Sequence, residues 1–220
     1  MAFANYPSGL SPVESLIGAQ WNEQGHLYFI PSTDTNQYAL GDVVIPAAGS
    51  DPDGVSRVTK ALNTSVPLGV IVGIRVADPG VSLQGPDLTL AVIQIPATKT
   101  RGYYVYVVDD PQVVFEIPTD LTYATNGTNL VDSITAPTNL VAANKNATFT
   151  VVNPTGNSPF SGTVLSLSSI ATTATLPLKI IGMQVRPDNL LTNVPNGVPV
   201  RLRVMFNVHV FGRGTGQAGV

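Results

Sequence analysis

The chain contains no cysteine among its 220 residues. This absence excludes a disulfide framework, catalysis by a thiolate and any metal site with cysteine ligands. It is compatible with every cellular compartment, so it carries no information about location.

Charged residues are also scarce, at 11% of the chain against about 25% in typical globular proteins. A surface with so few charges is weakly protected against association, which suits a subunit largely covered by partners. A polar, uncharged β-protein without such partners would have the same composition. The net charge of −3 gives no indication of nucleic-acid binding.

The charges are unevenly distributed. From residue 179 onward the only anion is Asp188, whereas the cations of this part are Lys179, Arg186, Arg201, Arg203 and Arg213. Such asymmetry either guides the docking of one subunit onto another or marks a solvated face.

Long apolar runs are absent, since no window reaches the roughly 18 apolar residues of a membrane span. The first 20 residues lack a basic region followed by an apolar core, so they do not have the pattern of a secretory signal. We therefore expect no membrane partner.

Short strands between Gly, Pro, Asn and Asp clusters make up most of the chain. The candidate strands are residues 26–31, 41–46, 55–62, 66–76, 87–96, 129–134, 147–152, 162–167, 176–185 and 198–211. The last of these alternates apolar and polar residues with a period of two, which predicts one buried face. The pattern predicts an all-β fold, a jelly roll, barrel or sandwich, with little helix.

The chain divides into three predicted parts. Residues 1–25 are predicted to be an extended arm, with a helical turn at the Ser-Pro-Val-Glu sequence of residues 11–14. Residues 26–211 form the body, in which 119–160 is either an inserted loop region or a subdomain, and 212–220 form a flexible tail.

Apolar residues of the arm are expected to pack on the body or on a neighbouring subunit, the alternative being a frayed terminus. His209 is placed on the polar side of the last strand, at a surface or interface. The candidate interface residues are Phe3, Tyr6, Leu10, Leu16, Trp21, Arg201, Arg203, His209 and Arg213.

The densest acidic group lies in residues 101–118, RGYYVYVVDDPQVVFEIP. Two runs rich in Val, Tyr and Phe flank Asp109, Asp110 and Pro111, which predicts a strand–turn–strand hairpin whose turn fixes the register. With Glu116, the two aspartates are either an acid–base site or the corner of a scaffold.

The scaffold interpretation is favoured because nothing in the sequence completes a reactive site. His26 and His209 are the only histidines, and neither has a second histidine at ligand spacing. There is no G-x-S-x-G elbow, phosphate loop or dinucleotide fingerprint. We therefore predict no catalytic residue, no cofactor and no metal.

Several separate segments carry a resemblance to a known family. The segments are 66–74 (VPLGVIVGI), 101–111 (RGYYVYVVDDP) with 114–117 (VFEI), 173–182 (TATLPLKIIG) with 186–189 (RPDN), and 203–209 (RVMFNVH). They resemble segments of tailed-bacteriophage head decoration, or cement, proteins. They occur in the family's order, whereas the first 60 residues and the 119–160 region have no specific match.

The resemblance implies a non-enzymatic β-barrel or jelly-roll subunit. Such a subunit is made in the bacterial host cytoplasm, is a dimer or trimer at a capsid symmetry axis, and bridges major capsid proteins on the outside of the virion. The alternatives are another virion component (a minor capsid, head-fibre or tail protein), a carbohydrate-binding module using Trp21, Tyr103, Tyr104 and Tyr106, or a hydrolase using the acidic group.

Overall fold

The computed structural model describes residues 8–22, 24–76, 94–154, 156, 158–212 and 215–220. The strands are β1 (Ser11–Ser15), β2 (His26–Ile30), β3 (Val43–Ser50), β4 (Ser56–Lys60), β5 (Gly69–Val76), β6 (Tyr103–Val108), β7 (Val113–Pro118), β8 (Asn146–Ala147), β9 (Phe149–Thr150), β10 (Val164–Leu165), β11 (Leu178–Met183) and β12 (Arg201–Phe206). Helix α1 spans Tyr123–Leu130, and short 3₁₀ turns span Leu167–Ser169 and Leu191–Asn196. The predicted all-β class is confirmed.

The first half of the body is a closed barrel with strand order β2-β4-β3-β5-β6. Its interior is apolar because alternate residues of each strand point inward, as Tyr103, Val105 and Val107 do on β6. Closure leaves none of these strands with an unpaired edge.

The second half is a five-stranded antiparallel sheet with order β1-β7-β12-β11-β8, accompanied by the β9–β10 pair. On β12, Leu202, Val204 and Phe206 are buried, which is the alternation expected from the sequence. Val43, Val70 and Val108 of the barrel belong to the same apolar cluster as the sheet residues, so the barrel and the sheet share a core.

The predicted hairpin at residues 101–118 is wrong in its pairing. Strand β6 pairs with β2 and β5 in the barrel, whereas β7 pairs with β1 and β12 in the sheet. The turn between them therefore carries the chain from the barrel to the sheet. Turn chemistry acts locally and does not determine which strands the flanking segments pair with.

Four other local predictions differ from the structure. Residues 11–15 form strand β1 instead of a helical turn, because pairing with β7 outweighs the capping-box pattern. Residues 129–134 contain the end of α1 instead of a strand, since packing of Tyr123 and Leu130 holds this poor helix-forming sequence helical. The predicted strand 198–211 is shortened to β12, and that at 147–152 is broken between β8 and β9.

Most of the predicted strand at 87–96 lies outside the described residues. The arm and tail assignments stay predictions, although the described parts of both contact the body. Beyond the contacts of β1, the tail residue Gln217 donates its N–H to Asn207 Oδ1 at 2.9 Å, and Gly219 donates to the Thr172 carbonyl at 2.9 Å.

One buried ion pair joins a loop to the barrel, and a second joins two loops. Lys60 Nζ lies 3.0 Å from Asp42 Oδ2, with exposed side-chain fractions of 6% and 0%. Lys99 Nζ lies 3.5 Å from Asp34 Oδ1 and donates to the carbonyl of Asn36 at 2.7 Å. These buried charges persist because their partners compensate the loss of hydration.

Candidate functional site

The turn between β6 and β7 is built by Asp110 and Pro111. Asp110 Oδ1 accepts a hydrogen bond from the Gln112 N–H at 2.8 Å, and the Asp110 carbonyl accepts one from Val113 N–H at 3.2 Å. This Asx-type arrangement explains why Asp precedes Pro at the point where the chain leaves the barrel.

Asp109 has a different role from its neighbour, because its side chain points to the barrel strand β2. Its Oδ1 lies 2.7 Å from His26 Nδ1, and its Oδ2 accepts a hydrogen bond from Tyr28 Oη at 2.7 Å. Burial of the Tyr28 hydroxyl is the main cause that raises its pKa above the ordinary value, and the hydrogen bond and charge of the Asp109 carboxylate raise it further.

The sequence offered no histidine partner for the acidic pair, and this expectation is wrong. His26 and Asp109 are 83 positions apart and meet because β2 pairs with β6, opposing His26 to Val107. A pattern of neighbouring residues in the sequence cannot predict a contact between residues so far apart along the chain.

Glu116 does not join the two aspartates. On the sheet, its carboxylate lies 3.1 Å from Arg201 Nη1 and 3.4 Å from Arg186 Nη1. The two aspartates therefore lie at the turn and Glu116 lies in an ion-pair cluster, so the three carboxylates do not form one site.

Three cations of the C-terminal part, Arg186, Arg201 and Arg203, form ion pairs within the chain. Besides the pairs of Glu116, Arg203 pairs with Glu14 of β1, and Arg186 Nε lies 3.4 Å from Asp188. The charge asymmetry seen along the sequence is therefore partly neutralised where β1, β7 and β12 lie side by side.

A groove of about 780 Å³ opens where the barrel meets the sheet, and we name it the joint groove. Its described lining residues are Trp21, Asn22, Gln24, Gly25, His26, Tyr106, Val108, Asp109, Asp110, Val113 and Phe211. Of the aromatic side chains, Phe211 is 63% and Tyr106 is 40% exposed. Sequence reasoning missed Phe211, because it was expected to continue a strand that ends at Phe206.

A second groove, of about 450 Å³, lies on the other side of the turn, and we name it the turn groove. Leu16, Pro111 and Met205 contribute apolar surface to it. Leu16 is 52% exposed and its chain neighbour Ile17 is 80% exposed. Large apolar side chains are thus presented to solvent beside the turn.

His209 is buried instead of lying at a surface, which corrects its predicted position. Its ring packs between Phe206 and Phe211, with centroid distances of 5.5 and 6.2 Å, and its Nδ1 accepts a hydrogen bond from the Phe211 N–H at 3.1 Å. Burial lowers the pKa of His209, against the opposing influence of the Leu68 carbonyl and of Asp109 and Asp110.

The other candidate interface residues have mixed positions. Leu10 and Arg201 are buried within the chain, so their side chains are not available to a partner. Leu16 is exposed, whereas Trp21 and Arg203 are half-buried. Phe3, Tyr6 and Arg213 lie outside the described residues.

The aromatic set of the carbohydrate alternative is likewise divided. Tyr103 is buried in the barrel, and Tyr104 donates a hydrogen bond to Asp51 Oδ2 at 2.5 Å. Trp21 and Tyr106 alone of the four reach the joint groove.

Within the described ranges, no group of three or more His, Asp or Glu side chains is arranged to hold a metal ion. No helix in the same part of the chain has the length and apolarity to cross a membrane. Comparisons of the chain with protein-family models, with curated proteins and with solved structures find no match.

Proposed function

We propose that the chain is a structural subunit of a tailed-bacteriophage head, a decoration protein that binds the outer surface of the major capsid shell. In this role it bridges neighbouring capsid subunits and stabilises the shell, and it binds partners instead of catalysing a reaction. We propose in addition that it acts as a dimer or trimer at a capsid symmetry axis.

The observation that carries the proposal is where the family-like segments lie. They supply β5 and β6 of the barrel and β7, β11 and β12 of the sheet, and so lie on both sides of the turn that joins the two. Segments that are separated along the chain thus become neighbouring strands, β5 beside β6 in the barrel and β7-β12-β11 in the sheet.

Individual residues of these segments hold neighbouring strands and loops together. Gly69 lies so close to the Val108 carbonyl that a Cβ would clash with it. Asn207 donates to the carbonyls of Ala174 and Leu176 at 2.7 and 3.0 Å, which holds the segment before β11 to the end of β12. Such residues maintain a scaffold, as expected for a subunit whose function is to bind.

The surface beside the turn groove is our candidate for the capsid contact. Full burial of a Leu or Ile side chain contributes about 1.5–3 kcal/mol, so covering the exposed fractions of Leu16 and Ile17 would contribute roughly 3 kcal/mol before the costs of association. Repetition over the shell multiplies such modest contacts into strong overall attachment.

The test uses heads assembled without this chain, to which the purified protein is added. We expect saturable binding to the outer surface and a higher temperature of shell rupture. The double variant Leu16→Ser/Ile17→Ser should bind about 100-fold more weakly, corresponding to roughly 3 kcal/mol.

Val185→Ser is the matched control, because Val185 is 90% exposed but does not line either groove. It should bind like the unmodified protein. Failure of the unmodified protein to bind such heads, or binding restricted to the tail, would contradict the proposal. Light scattering on the purified protein gives its oligomeric state.

A further inference from the structure

The joint groove combines aromatic surfaces with hydrogen-bonding groups. Trp21, Tyr106 and Phe211 come from three separate parts of the chain, namely the segment after β1, strand β6 and the segment after β12. Tyr106 and Phe211 are exposed and Trp21 is half-buried, and aromatic rings that line one concave surface can stack on the apolar faces of a ligand.

The polar part of the groove is held in place before any ligand arrives. His26 exposes 79% of its side chain while its Nδ1 is engaged by Asp109, which orients the ring and leaves Nε2 as its remaining hydrogen-bonding atom. Tyr28 fixes the other carboxylate oxygen of Asp109. This preorganisation lowers the cost of binding.

Amide and carboxylate groups complete the polar part. Asn22 and Gln24 offer side chains that both donate and accept, and Asp110 offers an exposed carboxylate beside them. Trp21 Nε1 donates to the Gln24 carbonyl at 3.3 Å, so the indole is tied to this segment.

We propose that the joint groove binds an uncharged oligosaccharide. Pyranose rings present C–H faces to aromatic side chains and hydroxyls to amides and carboxylates, which are the two kinds of group that the groove provides together. The volume of about 780 Å³ lies within the range of about 300–1,000 Å³ that small-ligand sites occupy.

The acidic side chains of the groove favour an uncharged saccharide over an anionic one. Among the described lining residues, Asp109 and Asp110 are anionic and no Lys or Arg is present. A polyanionic saccharide would meet like charge, so the groove disfavours it. The inference does not depend on the capsid role, because a glycan site is compatible with any structural context.

Trp21 is the single tryptophan of the chain, so the intrinsic tryptophan fluorescence reports binding in the joint groove. We propose to titrate the full chain with three uncharged probes (chitotriose with N-acetyl groups, cellotriose and maltotriose) and with the acidic probe trigalacturonate. Trp21 fluorescence and calorimetry follow binding in parallel, so that a ligand without spectral effect is still detected.

Saturable binding of at least one uncharged probe, and weaker binding of the acidic probe, is the expected result. Phe211→Ala should weaken the affinity for that probe by roughly threefold to tenfold. Leu121→Ala is the matched control, because Leu121 is 65% exposed and lines neither the joint groove nor the neighbouring pocket that Trp21 and Tyr106 also line. Circular dichroism establishes that both variants are folded.

Three results would overturn the inference. The first is no heat and no fluorescence change with any of the uncharged probes. The second is equal affinity for the uncharged and the acidic probes. The third is binding that Phe211→Ala leaves unchanged, which would place the ligand elsewhere. Capsid binding is measured separately, so its failure and the failure of glycan binding are distinguishable.

Discussion

Replacement of Asp109 by alanine should destabilise the protein far more than replacement of its neighbour Asp110. Asp109 is 8% exposed and accepts a hydrogen bond from Tyr28, which is 9% exposed. A hydrogen bond to a charged acceptor contributes about 1.5–3 kcal/mol, and its loss leaves the buried Tyr28 hydroxyl without this partner.

The bond from His26 adds little to this loss, because water can replace the carboxylate at a side chain that is 79% exposed. We therefore expect Asp109→Ala to lower the free energy of unfolding by about 2–3 kcal/mol, or the Tm by roughly 5–10 °C. Asp110 is exposed and accepts one backbone hydrogen bond, so Asp110→Ala should cost less than about 1 kcal/mol.

Urea unfolding of both variants is followed by circular dichroism instead of fluorescence. Trp21 lies in the groove beside Asp109, so its fluorescence would report local changes at the substitution as well as global unfolding. In the Tyr28→Phe background, Asp109→Ala should cost clearly less than alone, since their hydrogen bond is already absent. Equal effects of Asp109→Ala and Asp110→Ala, or additive effects with Tyr28→Phe, would refute this reasoning.

Three further predictions concern buried groups. Asp42→Asn should lower the unfolding free energy by about 3–5 kcal/mol, because it removes the carboxylate that neutralises the buried Lys60 ammonium. Asp42→Asn/Lys60→Met should cost less in the same urea assay, because it leaves no buried charge and the Asn side chain can still bond to Ala39 and Ser161. Burial lowers the pKa of His209 in the folded protein, so below pH about 6.5 the unfolded chain binds more protons than the folded one. The free energy of unfolding should therefore decrease as the pH falls from about 7 to about 5, and His209→Phe should make this decrease smaller. Gly69→Ala should cost about 1–3 kcal/mol by overpacking against β6, whereas Gly182→Ala, which meets no atom within 4 Å, should have a much smaller effect in thermal unfolding.

The fold class was predictable because strand periodicity is a local property. The alternation of Leu202, Val204 and Phe206 reports a buried face wherever the strand pairs. The choice of pairing partner is not local, because β6 and β7 are both rich in Val and aromatic residues but belong to a barrel and to a sheet, respectively. The end of β12 was unpredictable for a related reason, since Asn207 leaves the strand pattern to bind distant carbonyls.

The candidate site was predictable only in part. The Asp-Asp-Pro sequence indicated a turn, but the contact of Asp109 with His26 depends on the pairing of β2 with β6. The joint groove draws residues from both ends of the described chain, and the exposure of Phe211 follows from the early end of β12. Such features arise from tertiary arrangement, which no single segment encodes.

We propose that the chain decorates the outside of a phage head through the surface beside the turn groove. A cryo-electron microscopy map of particles that contain the chain tests it most directly. The account predicts barrel-and-sheet density on the outer surface at junctions between capsid subunits, with Leu16 and Ile17 facing the shell. Density inside the head or on the tail, or Leu16 and Ile17 facing solvent, would contradict it.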